Sequence, residues 1–336
     1  MSFKSRLTHN PAVIGLFLGC AVLFSGMTVS LQVQTLGRAY LETEQVKRHT
    51  NVLQRRTGSP YQYRVFSEYL VQGIFRVFEW LRCPHPLLTA FIGTRLLQNF
   101  LIFLLAALYY YKLGFPVFHT LLALSFLFWG MSHAFYNSDL SFNTYSDIIC
   151  YLAAGLLILH ERPVWIIPLT AIAALNRETS GLIPFLLLAE YWRIHRQEKK
   201  LHPSFFPTEP EKTLVIAGIA LLVYATIFIG LRLVLGFRPL VLPPGNYRPG
   251  IEIFLYNVCR VQTWIHLFAT VGILPALALL SFRRWPAVLQ YFFWILVPAW
   301  LSIHILASLL AETRLILTPY ALIFVPGAVW GASHHE

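Results

Sequence analysis

A succession of long apolar stretches is the feature that most constrains the fold of this 336-residue chain. A helix needs about 20 apolar residues to cross a hydrocarbon core of roughly 30 Å, and stretches of that length recur between short polar segments. The composition agrees, because 57% of the residues are hydrophobic, 12% are charged and the mean hydropathy is +0.59. The sequence therefore predicts an all-α, polytopic membrane protein and excludes the soluble classes.

The predicted organisation is one membrane domain, residues 1–336, with about ten membrane helices, two of them short. The first helix, 12–33, follows Lys4 and Arg6 and is interpreted as a retained helix rather than a cleaved signal peptide. Two short helices are expected within 164–188. The other helices are predicted at 86–110, 114–132, 146–160, 213–235, 264–282, 286–308 and 315–331.

The segments between the helices carry most of the formal net charge of +11. Lysine and arginine there set the topology and contact lipid headgroups, so no nucleic-acid partner is expected. Residues 34–84 are predicted to form an external loop with an interfacial amphipathic helix at 63–81, and residues 191–212 a cytoplasmic loop. The four cysteines lack CxxC spacing, and only Cys83 with Cys259 stays open as a disulfide pair.

Two charges interrupt the apolar run 164–188, within the sequence "LNRETSGLIP". In a single helix, Arg177 and Glu178 would lie at mid-bilayer, at a cost of several kcal/mol unless they are paired or hydrated. We therefore predict two arms of about twelve residues each, joined by a turn at 176–181 that lines a cavity open to one side. With two arms, the basic breaks between helices fall on the side of Lys4, which would be cytoplasmic.

The sequence "AETR" (311–314) repeats the theme of "NRET", with an acid and a base between apolar helices. One interpretation is a structural plug, in which Arg177 pairs with Glu312 and Glu178 pairs with Arg314. The other is a site at the outer face, where arginines hold a lipid phosphate or pyrophosphate and a nearby carboxylate acts as a base.

Four elements in chain order resemble the GT-C class of integral membrane glycosyltransferases, in particular its small bacterial polytopic members. They are Glu42 or Glu44 in the first external loop, "SPYQYRVFSEYL" (59–70), "LNRETSGLIP" (175–184) and "LAETRLILTP" (310–319). The resemblance implies inverting transfer of a sugar from a polyprenyl-phosphate donor to an acceptor on the extracytoplasmic side of a bacterial inner membrane. It leaves the sugar, the acceptor and a requirement for a divalent cation open.

In this resemblance an external carboxylate is the general base, and Glu44 is favoured over Glu42 by its spacing to Arg64. The class commonly has aspartate at that position, so this chain departs from the pattern. Donor-phosphate binding is predicted for Arg64, Arg177, Arg314, Arg248 and Arg260. Supporting cavity residues are predicted to be Asn176, Glu178, Glu312, Glu68, His133, Asp139 and Asp147.

Simpler roles stay open for several of these residues. Glu68 is one turn from Arg64 and suits an ion pair with it. Asp139 or Asp147 suits an N-cap of the helix at 146–160, and Arg248 and Arg260 suit a pair with Glu252. For the whole chain, the rivals to an enzyme are a transporter or flippase for an anionic lipid or solute and a non-catalytic membrane scaffold.

Overall fold

The computed structural model describes residues 11–134, 142–198, 210–242 and 246–333. Within them the chain is almost entirely helical and contains no strand. The main helices of the first half are α1 (Pro11–Leu36), α2 (Val46–Leu53), α3 (Val65–Trp80), α4 (Pro86–Leu113), α5 (Val117–His133) and α6 (Phe142–Leu159). Those of the second half are α7 (Ile166–Ala174), α8 (Ile183–Glu198), α9 (Pro210–Leu235), α10 (Ile251–Cys259), α11 (Val261–Val271), α12 (Leu274–Leu280), α13 (Ala287–Ala307) and α14 (Thr313–Ala332).

Among the described residues, six helices are long and apolar enough to cross a membrane, namely α1, α4, α6, α9, α13 and α14. The pair α11–α12 gives a seventh span if it is counted as one. The predicted all-α polytopic fold is confirmed. Helices α14 and α6 are the most buried of these six. Tyr110 of α4 donates a hydrogen bond to the carbonyl of Ala321 in α14 (2.7 Å).

The helix predicted at 264–282 is not one continuous helix, because α11 and α12 meet at an angle of 71°. Gly272 has a φ of +59°, in the left-handed region that residues with a side chain rarely adopt. Pro275 follows in the first turn of α12, where its missing N–H is tolerated. Hydropathy is continuous across the bend, and only these two residues signal it.

The predicted break in the run 164–188 is confirmed, with unequal arms. Helix α7 has 9 residues and α8 has 16, which correspond to about 13 and 24 Å. Between them lies a 3-10 turn at Glu178–Leu182. Pro163 and Ile194 line one small pocket, so the two arms return to the same end of the bundle.

The loops gather at two ends of the bundle. At one end, which we call the cavity end, Ser59 pairs with Leu240 and the amide of Gly250 donates to the carbonyl of Leu306 (2.7 Å). At the other, the basic end, the pKa of His160 is lowered by burial and then by Lys112 and Arg162. The two-armed turn predicts this division of the loops between the two ends, because its arms return the chain to the end from which it came.

The structure also tests two further predictions, the amphipathic helix of the first loop and the disulfide between Cys83 and Cys259. Helix α3 occupies the predicted amphipathic stretch, burying Ser67, Glu68 and Val71 while Trp80 is exposed. Cys83 and Cys259 are both free thiols, so the disulfide that the sequence left open is not formed.

Candidate functional site

A cavity of about 400 Å³ opens at the cavity end, where three separate charged motifs meet. Its charged walls come from the 59–70, 175–184 and 310–319 stretches. The start of α6, the end of α13 and residues 240–242 and 249 complete the lining. The polar and charged lining residues are Tyr61, Arg64, Thr144, Arg177, Glu178, Thr179, His304, Ser308, Glu312 and Arg314.

The turn between α7 and α8 is fixed to its neighbours through the side chain of Asn176, which is fully buried. Its Oδ1 accepts a hydrogen bond from Ser67 Oγ (2.5 Å), and its Nδ2 donates to the carbonyl of Asn143 (2.7 Å). The amide of Phe66 donates to the carbonyl of Leu175 (3.0 Å). One amide side chain therefore ties the turn to both α3 and α6.

Two tyrosines hold the backbone on the other side of the turn. Tyr151 donates to the carbonyl of Thr179 (2.6 Å), and Tyr224 donates to the carbonyl of Glu178 (2.7 Å). Gly181 permits the second contact, because a Cβ there would lie 2.7 Å from the Tyr224 ring. Buried carbonyls in a membrane need such donors, and these contacts explain how an irregular turn lies inside the bundle.

The ion pairs differ from those of the predicted plug. Arg64 donates through Nε and Nη2 to Glu178 Oε2 (3.0 and 2.9 Å). Arg314 donates to Glu312 Oε2 (2.7 Å) within its own motif. The predicted pairing of Arg177 with Glu312 and of Glu178 with Arg314 is therefore wrong, since each glutamate is held by a different arginine.

Arg177 is the least neutralised of the three lining arginines. Its closest carboxylate, Asp147, is 3.8 Å away, and its side chain is only 3% exposed. Its other contacts are with Thr144 Oγ1 (3.4 Å) and His304 Nε2 (3.3 Å). Its Nε is buried without a hydrogen-bond partner among the described residues, as is Glu178 Oε1. A guanidinium in this state is suited to an added anionic acceptor.

His304 is held as a hydrogen-bond acceptor for Arg177. The carbonyl of Trp300 lies 2.8 Å from Nδ1 and can only accept, so Nδ1 carries the proton. Nε2 then accepts from Arg177 Nη2, and a neutral imidazole faces the guanidinium.

Positive charge predominates around the cavity. Arg64 and Arg314 are close enough to repel Arg177. Burial lowers the pKa of Arg48, and the nearby charge of Arg314 lowers it further. Arg48 and Arg64 lie 5.0 and 5.5 Å from the ring centre of Tyr61, which is part of the wall. The site is therefore an arginine-rich pocket that attracts anions.

The two acids predicted as the base lie outside the lining. Glu42 is exposed and pairs with Arg38 (2.7 Å). Glu44 is exposed on the same π-helical segment, Leu41–Gln45. Burial raises the pKa of Tyr40, on which Arg314, Glu44 and Glu312 all exert charge effects. Tyr40 thus lies near the Arg314–Glu312 pair, and Glu44 follows it by four residues.

The expected local partners of two acids are wrong. Glu68 pairs with His49 Nδ1 (2.6 Å) rather than with Arg64. Asp147 is not an N-cap, because α6 begins by Phe142. It is fully buried and accepts a hydrogen bond from Thr179 Oγ1 (2.9 Å). The polar residues before Asp147 indicate a loop when only the sequence is considered, but in the structure they belong to α6 and face the buried turn.

Three further predicted site residues, His133, Arg248 and Arg260, are not among the lining residues. His133 stacks on Trp129 and hydrogen-bonds its carbonyl (2.9 Å). The backbone amide of Arg248 donates to Glu252 (2.7 Å), and Arg260 donates to Gln262 (2.6 Å). Asp139 lies outside the described residues. In the part of the chain that is described, no group of three or more His, Cys, Asp or Glu residues is arranged to hold a metal ion.

Sequence reasoning missed His304, Thr144 and Tyr61. A lone histidine at the end of an apolar helix is more often a satisfied core residue than a site residue, and Thr144 precedes the predicted start of its helix. The available signal for Tyr61 was its position in "SPYQYR", three residues before Arg64.

Comparison with protein-family models finds no match, and comparisons with curated proteins and with solved structures find none either.

Proposed function

We propose that the chain is a membrane glycosyltransferase of the GT-C type, which uses a polyprenyl-phosphate sugar at the extracytoplasmic face of a bacterial inner membrane. The observation that carries the proposal is the pairing of two surfaces in one cavity. Arg64, Arg177 and Arg314 form a cationic wall, while Leu240, Val241 and Ile303 form an apolar wall beside it. A phosphate attached to a hydrocarbon chain matches both walls.

The arginines act on the leaving group in this reaction. An acceptor hydroxyl oxygen attacks the anomeric carbon of the sugar, and the bond from that carbon to the phosphate oxygen breaks. The electron pair leaves with the polyprenyl phosphate, whose growing negative charge is stabilised by guanidinium groups fixed in a low-dielectric site. Arg177 has the least neutralised charge and is assigned the closest contact with that phosphate.

Glu44 is assigned as the base that takes the acceptor proton. Glu178 and Glu312 are engaged by Arg64 and Arg314, whereas Glu44 forms no ion pair with a described residue. Exposure to solvent suits a group that meets an acceptor arriving from outside the bilayer.

The test is sugar transfer and donor binding by Glu44→Gln, with Glu42→Gln as the matched control two residues away. The enzyme proposal expects Glu44→Gln to bind donor normally and to lose roughly 10²-fold or more in turnover, the usual scale of general base catalysis. Glu312→Gln is measured beside it. Unchanged turnover in Glu44→Gln together with lost turnover in Glu312→Gln would assign the role of the base to Glu312 instead. No sugar transfer by the wild type would contradict the proposal.

A transporter or flippase for an anionic lipid or solute is the second candidate. Its support is the broken span at the turn and the bent pair α11–α12, since interrupted helices line the sites of many transporters. It predicts that movement of a lipid phosphate across vesicles is indifferent to Glu44→Gln. A scaffold instead predicts no lipid-phosphate binding.

A further inference from the structure

Two residues of the cavity wall offer hydrogen-bond acceptors beside the arginine donors. Glu178 and Thr179 follow Arg177 directly in the chain, at the start of the 3-10 turn Glu178–Leu182, and both line the cavity. The guanidinium groups of the wall can only donate, and a phosphodiester anion has no proton with which to use the acceptors. Binding of a phosphate by the arginines therefore leaves these two acceptors without a partner from the phosphate.

The hydroxyl of Thr179 is oriented by a buried carboxylate. Thr179 Oγ1 donates to Asp147 Oδ2 (2.9 Å), and Asp147 is fully buried. An ionised carboxylate can only accept, so the direction of this hydrogen bond is fixed. Two lone pairs of Oγ1 remain, and no described residue donates to them. At this point of the wall, Thr179 is therefore an acceptor for a ligand.

Glu178 adds a second acceptor next to it. Its Oε2 accepts two hydrogen bonds from Arg64 (3.0 and 2.9 Å). Its Oε1 is buried and has no hydrogen-bond partner among the described residues. A buried acceptor that stays unpaired is costly to the fold, and a ligand hydroxyl that donates to Oε1 removes this cost.

These acceptors lie beside the assigned phosphate contact. The same Asp147 oxygen that accepts from Thr179 lies 3.8 Å from Arg177 Nη1. In the sugar donor the ring begins one bond from a phosphate oxygen, so its hydroxyls come close to the residues that flank Arg177. The backbone carbonyls of Glu178 and Thr179 are held by tyrosine hydroxyls, and the acceptors are therefore fixed before a ligand binds.

We propose that Glu178 and Thr179 form a sugar subsite, which accepts hydrogen bonds from ring hydroxyls of the transferred sugar. The inference rests on the proposed function and adds the class of sugar to it, a neutral hexose with free hydroxyl groups. The carboxylates of Glu178 and Asp147 disfavour an acidic sugar, such as a uronic acid, at this position. A site built to accept from hydroxyls also rejects a sugar that lacks them, because its acceptors are then left unpaired.

The experiment measures binding of lipids of equal charge to the purified full chain in detergent. Polyprenyl-phosphate glucose and polyprenyl methyl phosphate are both phosphodiesters with one negative charge, and only the first has ring hydroxyls. The galactose and mannose lipids are tested beside it, since the inference names hydroxyls and not their configuration. Thr179→Val removes the acceptor at nearly constant shape, and Thr179→Ser keeps it. Thr144→Val is the matched control, because Thr144 also lines the cavity but contacts Arg177.

Wild type should bind at least one of the hexose lipids more tightly than the methyl phosphate. Thr179→Val should weaken that binding roughly tenfold, the usual scale for one lost hydrogen bond, and leave binding of the methyl phosphate unchanged. Thr179→Ser should resemble the wild type. Thr144→Val should change the binding of both kinds of lipid alike.

Equal losses for both kinds of lipid in Thr179→Val would assign Thr179 to the phosphate or to packing and would overturn the inference, as would no loss for either. If Thr179→Val fails to fold, monodeoxy analogues of the hexose lipid are compared on the wild type, and equal affinity for every analogue would overturn it. The proposed function fails separately. A wild type that binds neither kind of lipid lacks the phosphate site, whereas one that binds both equally has this site and lacks the sugar subsite.

Discussion

At the scale of single residues, the site depends on how Arg177 is held without being neutralised. Arg64 and Arg314 each have a carboxylate within 3 Å. Arg177 has a more distant carboxylate, a threonine and a neutral imidazole, so much of its charge is directed at the cavity. A buried charge that is incompletely paired is costly to the fold, which makes an anionic ligand the natural complement.

His304 is predicted to position Arg177 by accepting its hydrogen bond. His304→Leu removes that acceptor and should weaken binding of a polyprenyl phosphate by roughly tenfold, the scale of about 1.4 kcal/mol for one charge-assisted hydrogen bond. His304→Gln keeps an acceptor oxygen and should restore most of the affinity. Both are measured by ligand binding in detergent. Equal losses in the two variants would contradict a positioning role and indicate a packing role.

At the scale of elements, the break between α7 and α8 does what a straight helix cannot, since it brings backbone and charged side chains inside the bundle while keeping their hydrogen bonds. Its partners come from α3, α6 and α9 through Ser67, Tyr151 and Tyr224. Each lies far away in sequence. The turn is therefore an element whose shape is determined by tertiary contacts.

Gly181 is predicted to be essential for that shape. Gly181→Ala places a Cβ 2.7 Å from the Tyr224 ring and should destabilise the protein by about 1–3 kcal/mol through overpacking. Gly218→Ala is the matched control, because a Cβ at this exposed position in α9 meets nothing within 4 Å. It should be neutral or stabilising. Thermal unfolding in detergent compares the two, and equal melting temperatures would contradict the described turn.

Some elements could be predicted from the sequence and others could not, for physical reasons. The turn was predictable because Arg177 and Glu178 cannot stay in hydrocarbon unpaired. The partner of Glu178 was not, because Arg64 is 114 residues away and no periodicity relates them. The bend after Val271 was hidden by continuous hydropathy. The start of α6 was placed too late because Asn143, Thr144 and Ser146 are polar yet buried.

At the scale of the whole molecule, the loops lie at two opposite ends of the helix bundle, the cavity end and the basic end. The loop with Cys83 lies at the cavity end. The end of α10, with Cys259, lies there too, because Asn257 of α10 donates a hydrogen bond to the carbonyl of Ile305 near the end of α13 (3.0 Å). Arg283, which is exposed, lies at the basic end. The positive-inside rule assigns the basic end to the cytoplasm.

Cysteine labelling tests this topology. In intact cells, a membrane-impermeant maleimide should label the native Cys259, which is exposed. A cysteine introduced by Arg283→Cys, in a Cys259→Ser background, should react only after the membrane is permeabilised. Labelling of Arg283→Cys, and not of Cys259, in intact cells would contradict the two-armed turn, because a single span there reverses every later loop.

The central claim is that the arginine-rich cavity binds a lipid phosphate, and the most direct measurement is binding of a polyprenyl-phosphate sugar to the purified chain. Arg177→Ala and Arg314→Ala are compared with Arg193→Ala, which removes an arginine paired with Glu190 at the basic end. Wild type and Arg193→Ala should bind alike, and the two cavity variants should stay folded and lose binding. No binding by the wild type, with cavity variants that unfold, would show that these charges serve the fold alone.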